Sequence, residues 1–328
     1  FHMEDVMKSI IEFAIFISRF IRNAIPDSVV YSKIFIPIRI LYGNMLKNRK
    51  RKLLRFDVPI AEQCNLSCKG CLHFSPLAHK AFIDIEKYEM DCKKISELSN
   101  GELDELRLLG GEPLLNPQII DIIKISRAYF PHCAIWIITN GTLLKNQPDE
   151  FWDCCRTNNI LIRISVYPIN LDYAFIIDKA KAHDTRLEFS GKIISNNGKM
   201  EAAENLLWVK HPIDINGRQN PKKSNTLCGH SNTCFQLVDG KLYKCNRIAY
   251  IKYFNSYFNV NLEVTKDDYI DIYKAKDMDE ILDKLRKPAP FCRYCKLDTL
   301  YNNVGWERSK KEISEWIVCE DDKPLGKH

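Results

Sequence analysis

The chain has 328 residues, 45% hydrophobic and 27% charged, with a net charge of +6. That balance excludes a disordered or low-complexity chain and suits one large α/β domain with an appendage, while the mild positive charge favours anionic small ligands without requiring them. Thirteen cysteines with no secretory signal argue against disulfide stapling and for metal or cluster ligation in the cytoplasm.

Residues 4–24 set Val6, Ile10, Phe13, Ala14, Ile17, Phe20 and Ile21 on one side of a helix that Pro26 ends. The following apolar stretch is broken by Pro37 and Gly43, so no run reaches the roughly 20 residues of a membrane span. With the basic run Lys47, Arg49, Lys50, Arg51 and Lys52, residues 1–53 form an N-terminal helical segment expected to pack on the main domain. Peripheral contact with an anionic membrane surface is the alternative. Basic residues elsewhere are dispersed and no helix-turn-helix or aromatic RNA-binding motif accompanies them, so no nucleic-acid partner is expected.

From residue 54 strands alternate with helices. Leu54, Phe56, Val58 and Ile60 predict a first strand, and a helix over 85–98 follows with Ile85, Tyr88, Cys92 and Ile95 on one face. ELRLL at 105–109, CAIWII at 133–138 and ILIRISV at 160–166 read as further strands, with helices at 119–130 and 170–183 between and after them. TRLEF and LLWVK are weaker candidates for a fifth and sixth strand. Repeated strand-helix units predict a parallel sheet, with chemistry gathered on the loops after the strands' C-terminal ends.

Three short motifs sit on those loops. Cys64, Cys68 and Cys71 in CNLSCKGC follow the first strand, Gly110-Gly111-Glu112-Pro113 the second, and Thr139-Asn140-Gly141 the third. The cysteine spacing alone allows an iron-sulfur cluster with one iron lacking a protein ligand, or zinc with His73 as a fourth ligand.

Taken in order, CX3CX2C, GGEP and TNG resemble the radical S-adenosylmethionine (SAM) superfamily over residues 54–170. The resemblance implies a partial (β/α)6 TIM-like barrel over 54–222. It also implies a 4Fe-4S cluster on Cys64, Cys68 and Cys71 whose open iron is chelated by the SAM amino and carboxylate groups. Gly110, Gly111 and Glu112 resemble the turn that receives the SAM amino group, and Asn140 and Ser165 stand where such enzymes contact the SAM carboxylate or ribose. One departure is Gly70, where the family usually carries an aromatic residue near the adenine.

Cys228 is followed by eleven residues, Gly240, four residues and Cys245, and later by Cys292 and Cys295. FQLVDGKLYKC reads as a hairpin turning at Asp239-Gly240, which would bring Cys228 near Cys245. The pattern resembles the SPASM extension of radical SAM enzymes in its shortened twitch form, a small hairpin and helix domain over 223–328. That implies a second 4Fe-4S cluster on Cys228, Cys245, Cys292 and Cys295, with Cys234 competing for the place of Cys228 and four-thiolate zinc as the alternative. Cys234 is also a candidate hydrogen donor to a substrate radical, whereas Cys92, Cys133, Cys154, Cys155 and Cys319 read as buried small hydrophobes. His211, Asp214 and Arg218 are candidate substrate contacts.

The resemblance implies reductive cleavage of SAM and hydrogen abstraction, with flavodoxin or ferredoxin as external electron donor. A small polyol or sugar, phosphorylated, nucleotide-linked or lipid-linked, is the expected substrate, undergoing dehydrogenation or epimerisation. Modification of a ribosomal peptide is the rival enzyme reading. A non-catalytic iron-sulfur or zinc interaction module is the second alternative.

Overall fold

Strand β1, Arg55–Ala61, alternates as the sequence predicts, with Phe56, Val58 and Ile60 each fully buried. Pro59 offers no N–H to a ladder, and the register slips between Pro59 and Ala61, so that Ala61 meets Gly110 of β2, Glu105–Gly110. The computed structural model describes residues 55–196, 199–202, 207–228, 230, 234–297 and 301–319. The helix and basic run expected within residues 1–53 lie outside them.

β3 (Ala134–Thr139), β4 (Ile160–Ser165) and β5 (Arg186–Ser190) continue the sheet in parallel, each paired with its predecessor. The predicted helix appears as α1, Ile85–Ser99, started by Asp84, whose side chain accepts from the N–H groups of Glu86 and Lys87 at 3.1 Å. α2 is Ile119–Tyr129, α3 Asp149–Thr157 and α4 Tyr173–Ala182. Tyr88, Cys92 and Ile95 of α1, Ile122 and Ile123 of α2, and Trp152 and Cys155 of α3 share one core with Phe56, Leu106, Ile137 and Ile162 of the sheet. One sheet face is thus sealed by helices.

The sixth position differs from expectation. LLWVK becomes β8 (Leu207–Lys210), which pairs antiparallel with β12 (Tyr301–Gly305) in a small sheet of its own. A second small sheet joins β6 (Ile193–Asn196) to β7 (Lys199–Ala202). The sixth parallel strand is β9 (Phe235–Val238), which lies beside β1 in the register Phe56↔Phe235 and Asp57↔Gln236. β10 (Lys241–Tyr243) and β11 (Tyr269–Asp271) add antiparallel strands beyond it. The eight strands run β11-β10-β9-β1-β2-β3-β4-β5 in an open, mostly parallel sheet.

The predicted β9-β10 hairpin turns at Asp239 and Gly240, with φ of 49° and 71°, the left-handed pair that a two-residue turn needs. The same hairpin extends the main sheet, so the region after residue 222 is joined to β1 edge to edge. α5 (Pro221–Leu227), α6 (Asn246–Phe258) and α7 (Met278–Arg286) complete the helices, and α6 centres a second core with Phe74, Ile213, Phe291 and Trp316. Among the described residues no helix is long and apolar enough to cross a membrane.

The sheet face opposite helices α1 to α3 is polar. Asp57 accepts from Arg107 Nε at 2.6 Å and from Gln236 Nε2 at 2.7 Å, linking three neighbouring strands. Arg163 lies over the Trp136 ring at 5.1 Å and pairs with Glu188 at 3.4 Å. Burial pushes the Asp57 carboxyl up to about 6 against the pull of Arg107. Breaking this buried pair by Arg107→Met is expected to cost about 3–5 kcal/mol in urea unfolding near pH 8. The loss should be smaller near pH 5, where Asp57 takes up a proton; a loss independent of pH would contradict the assignment.

Candidate functional site

The cysteine loop leaves β1 and curls tightly, with Ser67, Gly70 and Phe74 at φ of 54°, 65° and 53°. Two of these are not glycine, so the curl costs energy that the surroundings must hold. Much of the hold comes from the far end of the chain. Ser309 N donates to Ser67 O at 2.7 Å, Lys69 N to Glu307 O at 2.9 Å, and Arg308 Nη1 to Leu66 O at 3.1 Å. Trp316 Nε1 donates to Cys71 O at 2.9 Å and its ring packs on Phe74.

The three thiols stand close enough to repel one another's ionised forms. Burial, then Glu112 and Cys71, pushes Cys64 up to about 11; burial, then Cys71 and Cys64, pushes Cys68 up to about 12, and burial raises Cys71 as well. N–H donors nonetheless converge on these sulfurs: Leu66 N on Cys64 at 3.4 Å, Asn140 Nδ2 on Cys64 at 3.8 Å, and Trp306 Nε1 on Cys68 at 3.1 Å. A neutral thiol accepts weakly, so this donor set suits thiolates that carry charge, as cluster ligands do. Among the described residues no three His, Cys, Asp or Glu converge on a single metal ion. A four-iron cluster asks for a wider arrangement, with each thiolate on its own iron. The residues present fit such a cluster. The His73 ring lies against Tyr250 at 5.2 Å, in a buried site that lowers its pKa to about 4.

The glycines of GGEP act first on the chain itself. A Cβ on Gly110, at φ +134°, would fall 2.2 Å from Ala61 O, and one on Gly111 would fall 2.0 Å from Gln63 O. Without side chains, Gly111 N reaches Ala61 O at 2.8 Å and Glu112 N reaches Gln63 O at 2.9 Å, sewing the second turn to the start of the cysteine loop. Glu112 is fully buried. Its carboxylate accepts from Leu114 N at 3.1 Å, Thr139 Oγ1 at 2.6 Å and Asn140 N at 2.9 Å. Both oxygens are thereby engaged within the protein, and Glu112 braces TNG against GGEP.

Asn140 closes the circuit. Its Nδ2 donates to Asn65 Oδ1 at 2.8 Å, and its Oδ1 accepts from Thr142 Oγ1 at 2.6 Å, while Asn65 Nδ2 donates to Thr142 Oγ1 at 2.8 Å. The ends of β1, β2 and β3 are therefore joined side chain to side chain. Ser165 ends β4 in register with Ser190. Asn65, Thr139, Thr142 and Trp306 were not singled out from the sequence; Asn65 lies inside the cysteine motif and Thr139 is the first residue of TNG, so position alone marked them.

The second cysteine set also assembles. Burial, then the thiols of Cys295, Cys228 and Cys292, hold Cys245 well above its ordinary range, and burial with Cys295 and Cys228 raises Cys292 to about 12. His230 N donates to Cys228 Sγ at 3.4 Å and Arg247 Nη1 to Cys295 Sγ at 3.3 Å. Cys234 has Arg107 Nη2 at 3.8 Å and His230 Nδ1 at 3.2 Å from its sulfur. The His211 and His230 rings meet at 5.3 Å. Asp214 is taken up by its own loop, accepting from Asn216 N, Arg218 N and Gln219 Nε2. Cys92, Cys133, Cys154 and Cys155 are buried in the core.

A family described as a 4Fe-4S single cluster domain matches residues 55–192, the segment holding all three motifs. That match spans less than half of the chain and agrees with the resemblance of the three motifs to the radical SAM superfamily. A 4Fe-4S cluster is the group that the description of this family names. Curated relatives include a GTP 3',8-cyclase of Campylobacter fetus, 26% identical over 67% of this chain and 62% of that protein. A probable GTP 3',8-cyclase of Methanothermobacter marburgensis is 34% identical over 30% of this chain and 31% of that protein. The chain thus spans less than two thirds of the length of either. Among solved structures, BtrN in complex with AdoMet and 2-DOIA is a loose likeness at 15% identity and TM-score 0.48, covering 75% of this chain and 94% of that one.

Burial raises the Glu112 carboxyl from 4.5 to about 7, so ionising it opposes folding, and its contribution to stability falls as pH rises through that interval. Glu112→Gln removes this titration but turns an N–H toward Asn140 N or Leu114 N, which costs about 1–3 kcal/mol. The variant should therefore be less stable than the parent near pH 5, with the gap narrowing toward pH 8 in denaturant titrations. A gap that widens with pH would contradict the brace.

Proposed function

We propose that the chain is a radical SAM enzyme whose 4Fe-4S cluster is held by Cys64, Cys68 and Cys71, leaving one iron for SAM. The observation that carries this reading is the circuit Asn65-Asn140-Thr142 with Glu112, which ties the three strand-end motifs into one site. Reductive cleavage of SAM to methionine and a 5′-deoxyadenosyl radical, which takes a hydrogen atom from carbon, is the chemistry these cofactors supply. The chain's own part is to present backbone groups of Gly110 and Gly111 to the SAM amino group, since both Glu112 oxygens are engaged in bracing the turn. Asn140 and Ser165 serve the carboxylate and ribose. An external one-electron donor such as flavodoxin or ferredoxin is required.

A second 4Fe-4S cluster on Cys228, Cys245, Cys292 and Cys295, in a twitch-like region over 223–328, would supply an electron acceptor for an oxidation. The electrostatic influence of Cys228, Cys292 and Cys295 on Cys245, with N–H donors from His230 on Cys228 and Arg247 on Cys295, supports it, and we keep Cys228 rather than Cys234 as the ligand. The substrate we favour is a small polyol or sugar bearing an anionic group, phosphorylated or nucleotide- or lipid-linked. The positive net charge supports an anionic partner, and the curated relatives' names point to a nucleotide. Dehydrogenation or epimerisation are the reactions such a site would perform. Cys234, in contact with Arg107 and His230, is kept as the hydrogen donor for an epimerisation.

Anaerobic reconstitution with SAM and dithionite should yield 5′-deoxyadenosine, falling to background in Cys64→Ala, Cys68→Ala and Cys71→Ala. No 5′-deoxyadenosine from protein that carries the first cluster would overturn the reading. Cys292→Ala with Cys295→Ala should lower iron content by one cluster while sparing SAM cleavage, and unchanged iron would remove the second cluster from the account.

A further inference from the structure

Trp306 Nε1 lies 3.1 Å from Cys68 Sγ, a contact between residues 238 apart in sequence. An indole N–H donates and does not accept, so the direction of this bond is fixed. It is shorter than the contacts of Leu66 N and Asn140 Nδ2 on Cys64, at 3.4 and 3.8 Å. Cys68 is 7% exposed, so the bond is little diluted by water.

The indole is held in place from several sides. Its ring meets Tyr167 at 5.9 Å, just beyond the end of β4. The residues after it run antiparallel to the cysteine loop through the Cys68↔Arg308 bridge, the bonds Lys69 N to Glu307 O and Ser309 N to Ser67 O, and the Lys69–Glu307 ion pair at 2.8 Å. The donor is therefore a built part of the loop's surroundings, delivered by a segment from the other end of the chain.

We propose that Trp306 is a positioning residue that sets the reduction potential of the cluster held by Cys64, Cys68 and Cys71, its N–H stabilising the reduced form through the Cys68 sulfur. The inference rests on the ligation proposed above. Reduction adds one electron, supplied by an external one-electron donor, and transfers no proton. The added negative charge spreads in part onto the sulfurs, so a dipole aimed at one of them favours the reduced state over the oxidised one. Removing the N–H makes the cluster harder to reduce.

The test is an EPR-monitored redox titration of the full chain, reconstituted anaerobically, following the signal that changes when SAM is added. Trp306→Phe removes the N–H and part of the ring. Trp306→benzothienylalanine replaces the N–H by sulfur and keeps the shape. The midpoint should move to more negative potential in both, at unchanged iron and sulfide content. An unchanged midpoint in the benzothienylalanine protein overturns the proposal, as does a shift in the phenylalanine variant alone, which would assign the effect to packing. A benzothienylalanine protein that takes up no cluster also contradicts it, because the N–H would then be structural. A parent protein with no SAM-responsive signal overturns the ligation itself.

Discussion

The Glu112 carboxylate is buried completely and answered by two backbone N–H groups and one hydroxyl rather than by a cation. A carboxylate in that position is costly unless its donors are held fixed, and fixing them aligns the end of β2 with the end of β3. Gly110 and Gly111 then let the same turn lie against Ala61 and Gln63 at the end of β1. Every element of the candidate site hangs from this junction. The cysteine loop starts at its edge, and Asn140 reaches back from it to Asn65 and Cys64.

A second dependence runs between the two ends of the described chain. β9 occupies the place beside β1 that a sixth consecutive strand would have taken, and residues 306–316 close over the cysteine loop through Trp306, Glu307, Ser309 and Trp316. Phe74, just after the last cysteine, is buried in the core built around α6 and Trp316. The first cysteine loop is thus enclosed by residues far from it in sequence. A chain of contacts runs from Arg107 through Cys234, His230 and His211 to Arg247 beside Cys295, with Arg247 donating to His211 O at 2.6 Å.

The legible parts of the fold were those written in local periodicity or turn chemistry. β1 to β4 carry apolar alternation or short buried runs, α1 carries a clear face, and Asp239-Gly240 is a turn by composition alone. The same reasoning cannot say which neighbour a short strand will choose: LLWVK and FQLV look alike locally, yet one leaves the main sheet and the other completes it. α3 was missed although Pro148 and the acidic pair Asp149 and Glu150 mark its start. In the site, the cysteines, GGEP and TNG were marked by family resemblance and by their places after successive strands, and the structure sets them on neighbouring loops. Motif spacing did not find Trp306, whose partner is 238 residues away. It also did not show that the Glu112 carboxylate is fully buried and bonded to Leu114, Thr139 and Asn140, since sequence does not report which carboxylates lose contact with water.

The central claim is that three strand-end turns build one site in which SAM meets an open iron of a cluster held by Cys64, Cys68 and Cys71. Electron-nuclear double resonance on the reduced protein, with SAM labelled by 15N in its amino group and 17O in its carboxylate, tests it most directly. The account predicts strong couplings from both labels to the cluster, lost when Cys68 is replaced by alanine. A cluster signal that carries neither coupling, and is the same with and without SAM, would contradict it.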